Sequence, residues 1–113
     1  MKVAITSSGN NLSAKLDERF ARSNYWYIYD SDTSEGYFFD NADNAETEHG
    51  AGIKAATKLI ELTIESLITG DLGPKATNVL KNKVTVFKGD KNKSIGENLN
   101  LFMNNKLNKL NIN

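Results

Sequence analysis

The chain has 113 residues, 39% of them hydrophobic and 25% charged, which is ordinary globular usage and enough length to bury a core without covalent staples. Fourteen Lys and Arg balance fourteen Asp and Glu, so the overall charge favours neither nucleic acid nor an anionic membrane. There are no cysteines, which excludes a disulfide framework and any thiolate-anchored zinc or iron–sulfur centre within the chain.

No run approaches the ~20 apolar residues of a membrane span. Met1-Lys2-Val3-Ala4-Ile5 passes directly into polar residues, without a signal peptide's apolar core. A soluble, cytoplasmic protein is expected. No internal repeat or interdomain linker is visible.

Lys2 to Thr6 predicts a short strand, with Val3 and Ile5 on one face, ending in the loop Ser7-Ser8-Gly9-Asn10. Tyr25-Trp26-Tyr27-Ile28-Tyr29 and Tyr37-Phe38-Phe39 are strongly β-prone. The turn formers Asp30 to Gly36 lie between them, which predicts an antiparallel hairpin. Its aromatic side chains are most simply sheet surface and core, the alternative being a stacking platform for bases. Asn41 to Glu48 is polar, acidic and aperiodic, and predicts a mobile loop.

From Gly50 the pattern turns helical, with Ile53, Ala56, Thr57 and Ile60 as the inner face and Lys54, Lys58 and Glu61 opposite. Ser66 to Thr69 predicts a buried strand, and Gly70-Asp71-Leu72-Gly73 a turn. Pro74 suits a first helical position, Ala76, Val79 and Leu80 an inner face, and Asn82 a left-handed C-terminal position. Val84 to Phe87 predicts a further strand. Ser94-Ile95-Gly96-Glu97 is a capping box, followed by a stripe of Ile95, Leu99, Phe102 and Met103. One domain is expected over residues 1–104, with 105–113 extending the last helix or fraying.

The order β-β-β-α-β-α-β-α, with right-handed crossovers, predicts a three-layer α/β fold. Its mixed five-stranded sheet would run 3-2-1-4-5 with strand 2 antiparallel, the ribonuclease-H-like arrangement. Strands one, three, four and five would then end at one edge. The loops after them (Ser7 to Asn10, Asn41 to Gly52, Gly70 to Pro74, Gly89-Asp90) would meet at the switch in winding, where open sheets take ligands.

His49-Gly50-Ala51-Gly52 precedes a helix. Glycines there allow close approach of backbone N–H groups to a ligand, and a helix start favours negative charge. His49, the one histidine, can ligate a metal when neutral or donate to an anion when protonated. Read alone, the segment is more simply a helix-capping loop whose glycines relieve strain, with a solvated histidine. Gly70-Asp71-Leu72-Gly73-Pro74 offers a second helix start on the same edge, by itself an ordinary turn with Pro at the first helical position. Neither segment matches GxxxxGK[ST] or GxGxxG, so nucleotide binding is unsupported. The first strand carries no acid for a nuclease metal, and no GxSxG, catalytic cysteine or histidine dyad is present. Enzymatic activity is not expected.

Four segments together resemble the dinitrogenase iron–molybdenum cofactor biosynthesis family, which includes NifX- and NafY-like carriers and the C-terminal part of NifB. They are Val3-Ala4-Ile5 with its polar loop, Arg19-Phe20-Ala21-Arg22-Ser23, His49-Gly50-Ala51-Gly52-Ile53, and Ile68-Thr69-Gly70-Asp71-Leu72-Gly73-Pro74-Lys75-Ala76. The resemblance spans Lys2 to about Phe102. It departs at Ala21, where the family usually has glycine, and at Lys75, often asparagine.

The resemblance implies a ribonuclease-H-like fold and reversible binding of an iron–sulfur or molybdenum-containing cluster or its precursor. It makes His49 the candidate metal contact. Ser7, Ser8, Arg22, Gly50, Gly52, Gly70 and Gly73 become candidate cofactor-binding positions, with Arg22 balancing cluster charge. Cluster donor and acceptor proteins are the implied partners, with no nucleic acid and no membrane. The alternative is a protein-interaction or regulatory module of the same fold that binds no cluster, using the aromatic hairpin, for example in a homodimer.

Overall fold

Alternation along Lys2–Ser7 (β1) sends Val3 and Ile5 to one side of a sheet and Ala4 to the other, and all three are buried. A strand buried on both faces belongs at the centre of a sheet, and β1 lies there. The structure, a computed structural model, describes residues 1–112. Tyr25–Asp30 (β2) and Glu35–Asp40 (β3) form the expected hairpin, with β2 antiparallel to β1. On the other flank Ser66–Thr69 (β4) runs parallel to β1, and Thr85–Lys88 (β5) parallel to β4.

The sheet order is β3-β2-β1-β4-β5, the predicted mixed arrangement, with one strand added beyond β5. That strand is Asn108–Lys109 (β6), antiparallel to β5 through Phe87↔Lys109 and Lys88↔Asn108. The tail, expected to extend a helix or fray, therefore contributes sheet. Asn105 (φ 57°) turns the chain back, and Leu110 N–H donates to Val86 O at 2.8 Å. Asn113, the tail's last residue, lies outside the described residues.

Helices cover both faces. Ala51–Glu61 (α2) and Pro74–Leu80 (α3) pack with Ala4, Trp26, Ile28, Leu67 and Val86. Ile95–Met103 (α4) packs on the opposite face with Val3, Ile5 and Ile68. Pro74 occupies the start of α3, Asn82 is left-handed (φ 64°), and Ser94 and Glu97 form the complete capping box of α4.

Three local expectations are corrected. The buried face of α2 is Ala51, Ala55, Ala56 and Leu59, whereas Ile53 and Thr57 are exposed. Small alanines bring this helix close to its neighbours, so burial follows fit more than side-chain size. Met103 is likewise exposed, and Asn98 takes a buried place in α4. Its Oδ1 accepts Asp90 N–H at 2.8 Å and its Nδ2 donates to Asp90 O and Ser94 O, both at 3.0 Å. Finally, the segment 41–48 is not a uniform loop. Ala42–Ala45 (α1) makes one helical turn, with Asp40 Oδ1 accepting Ala42 N–H at 2.9 Å.

Candidate functional site

Strands β1, β3, β4 and β5 share one direction, so their C-terminal ends and the loops after them meet at one edge of the sheet. Residues 15–20 cross that edge. Asp17 N–H donates to Thr6 O at 3.0 Å and Thr6 Oγ1 donates to Asp17 O at 2.6 Å. Asp71 N–H donates to Glu18 O at 2.8 Å. Gly70 is what lets this crossing lie so close: a methyl group there would sit 2.7 Å from Glu18 Cα.

Beside the crossing opens a cleft of about 700 Å³, lined by residues 18–22, 50–52, 71 and 73–76. The turn carrying Arg22 is anchored in the core. Phe20 stacks on Trp26 at 5.6 Å, Trp26 Nε1 donates to Ser23 Oγ at 3.1 Å, and Asn41 Nδ2 donates to Ser23 O at 2.8 Å. The Arg22 guanidinium donates from Nη1 to Ala45 O at 2.9 Å and Thr47 O at 2.7 Å, tying the cleft wall to the segment that leads into α2.

Gly50 (φ +78°) is the left-handed residue from which α2 departs, and no side chain caps that helix. Its first ladder bond is Lys54 N–H to Gly50 O, so the amides of Ala51, Gly52 and Ile53 precede the ladder. Gly52 faces the start of α3, where a methyl group would meet Ala76 Cβ at 3.7 Å. Gly73, the residue before Pro74, is likewise without a side-chain cap.

Arg19, Arg22 and Lys75 line the cleft with Glu18 and Asp71, three positive charges against two negative. Arg19 is held by Asp17 through Nε–Oδ1 at 3.1 Å and Nη2–Oδ2 at 2.9 Å. Among the described residues, Arg22 and Lys75 are the lining cations without a carboxylate partner. The cleft thus offers backbone donors and cations with few ligating atoms. No group of three or more His, Asp or Glu able to hold a metal ion occurs among the described residues. This donor set fits a preformed anion better than a bare metal ion.

Of the positions singled out in the sequence, the cleft gathers Arg22, Gly50, Gly52 and Gly73. His49 is exposed and adjoins the lining through Gly50 without belonging to it. Gly70 is buried beneath Glu18, outside the lining. Ser7 and Ser8 serve their own loop: Ser7 Oγ donates to Gly9 O at 2.6 Å and Ser8 Oγ to Lys15 O at 2.9 Å. Sequence reasoning did not single out Glu18, Asp71 or Lys75 as lining residues. Glu18 and Lys75 had no periodicity or spacing to mark them, although Asp71 and Lys75 fall inside a segment that carried the family resemblance.

The family model described as dinitrogenase iron-molybdenum cofactor matches residues 1–105. Among solved structures, the apo form of the orange protein from Desulfovibrio gigas superposes with a TM-score of 0.89 at 27% identity, covering 96% of this chain and 92% of that one. A Thermotoga protein provisionally described as NifB gives a TM-score of 0.84 at 31% identity, over 96% and 92% of the two chains. A Methanocaldococcus jannaschii protein provisionally described as a dinitrogenase shares the fold with a TM-score of 0.72 at 17% identity, over 97% and 94%. No curated protein matches the sequence. No helix among the described residues is long and apolar enough to cross a membrane.

Proposed function

The chain belongs to the dinitrogenase iron–molybdenum cofactor family, and on that premise we propose that it binds and hands on an anionic iron–sulfur or iron–molybdenum-type cluster, or a precursor of one, as cargo. The observation that carries this reading is the uncapped start of α2 opening into a cleft whose unpaired cations are Arg22 and Lys75. A sulfur-rich anion presents many weak acceptors, which oriented N–H groups and a guanidinium can satisfy together without displacing any of its ligands. Gly50 and Gly52 keep the approach to these amides free of side chains, and Gly73 does the same at the start of α3.

His49, exposed and next to the lining residue Gly50 in the chain, is the candidate imidazole contact for an exposed metal of the cargo in this reading. Ser8, which bonds Lys15 O, and Gly70, which lies under Glu18, act indirectly by holding the crossing segment that forms one wall, and Ser7 holds only the loop before it. With one histidine and no cysteine the grip is reversible, which suits transfer between a donor and an acceptor protein and needs no catalysis.

The test is anaerobic incubation with iron, sulfide and molybdate, followed by desalting, metal analysis and absorption spectra. Stoichiometric metal uptake is expected, with uptake reduced in Arg22→Ala. No uptake by the unaltered chain ends the carrier reading. Undiminished uptake by Arg22→Ala and Gly52→Ala moves the cargo out of this cleft, and undiminished uptake by His49→Ala removes His49 alone.

A further inference from the structure

The neutral overall charge conceals a segregated one. Residues 30–48 hold seven of the fourteen acidic side chains and no Lys or Arg. They include β3, the edge strand at the far end of the sheet from β5 and β6. The two edges differ: β6 covers β5, whereas no backbone group of Glu35–Asp40 bonds to anything but β2 among the described residues. Alternate residues of an edge strand turn their N–H and C=O groups outward, so β3 presents a free ladder. Tyr37, at its middle, is 52% exposed.

Carboxylates stand at both ends of this ladder. Across the sheet Lys2 pairs with Asp30 and Asp30 with Glu35, setting two acids side by side. The Met1 ammonium lies 3.7 Å from Asp30, but Glu35 has no ion-pair partner among the described residues. At the other end Asp40 lies opposite Tyr25 and accepts Ala42 N–H, with Lys54 and Lys58 lining the small pocket beside it. Glu35 is therefore the less compensated of the two.

We propose that the β3 edge binds an extended segment of a partner protein that carries two cationic side chains five residues apart. In either strand direction, positions i and i+5 of an added strand fall opposite Glu35 and Asp40, on opposite faces of the sheet. The four residues between them lie against Gly36 to Phe39 and suit β-branched or aromatic side chains. A second copy fits poorly, because antiparallel pairing of β3 with itself sets Glu35 against Asp40 twice. This chain's own segment with the required spacing and β-prone residues between the cations, Lys83 to Lys88, is engaged with β4 and β6.

That segment nevertheless supplies a probe, the end-blocked peptide Lys-Val-Thr-Val-Phe-Lys, titrated into the labelled full-length chain and followed by NMR. Saturable shifts and slowed hydrogen exchange at the β3 amides are expected, and the peptide with both lysines replaced by glutamate should bind about tenfold more weakly. The variant Glu35→Lys/Asp40→Lys should reverse that preference, and both of its sites are exposed. Equal binding of the two peptides overturns the proposal, as does the absence of β3 shifts at millimolar peptide. Concentration-dependent self-association through β3 without peptide also overturns it, by making a second copy the occupant.

Discussion

The starts of α2 and α4 solve one problem in opposite ways. Both helices begin with amides that have no acceptor within the helix. At α4 the chain satisfies them itself: Ser94 Oγ accepts Glu97 N–H at 3.1 Å and Glu97 Oε1 accepts Ser94 N–H at 2.9 Å. At α2 the corresponding place is Gly50, which has no side chain to offer, and no acid stands in the first turn. The self-capped helix faces away from the cleft and the uncapped one opens into it. A helix start left unfinished by its own sequence, beside unpaired cations, is where an outside anion adds most.

The cleft's geometry breaks most severely at Gly70. The methyl of Gly70→Ala meets Glu18 Cα at 2.7 Å, backbone against side chain, so the crossing segment must lift. We expect a loss of about 2 kcal/mol, read as a fall of roughly 10 °C in Tm. An unchanged Tm would show that the crossing is not tightly held.

The contrast between the two helix starts is sharpened by a pair of smaller changes. Gly50→Ala places an L-residue at φ +78°, and Ser94→Ala removes a cap; each costs about 1 kcal/mol in urea denaturation. Their effects on anaerobic metal uptake should differ. Gly50→Ala is expected to lower uptake and Ser94→Ala to leave it unaltered. Equal uptake by both variants would remove the functional half of the contrast.

Which parts of this arrangement were legible in the sequence follows from the range of the interactions. The hairpin, the capping box and Pro74 announce themselves within a few residues, and the sheet order follows from the sequence of elements. The face of α2 was misread because its contacts are alanines, whose burial depends on how closely neighbouring elements approach. Asn98, β6 and the crossing of Glu18 over Gly70 depend on partners distant in sequence and leave no local pattern. The same limit applies to the site. Gly50, Gly52, Gly73 and Arg22 lie in segments marked by family resemblance and do line the cleft. Gly70 carries the same mark, yet its surroundings explain its missing side chain by packing alone.

The smallest expected effect concerns acid and separates α4 from α2 once more. The backbone N–H of Ser94, with its side chain, holds the Glu97 carboxyl below its ordinary value of about 4.5. A depressed folded-state pKa means that the unfolded chain binds the proton first, so the stabilisation is present above that value and lost as pH falls through the folded one. Glu97→Gln keeps an acceptor for Ser94 N–H but removes the titration. Between pH 7 and about pH 3 the gap in urea midpoint between the original chain and Glu97→Gln should therefore narrow, the original losing more. A gap that stays constant across that range would mean that the capping bond is no stronger to the carboxylate than to the neutral acid. The first turn of α2, which holds no acid, has no comparable loss to show.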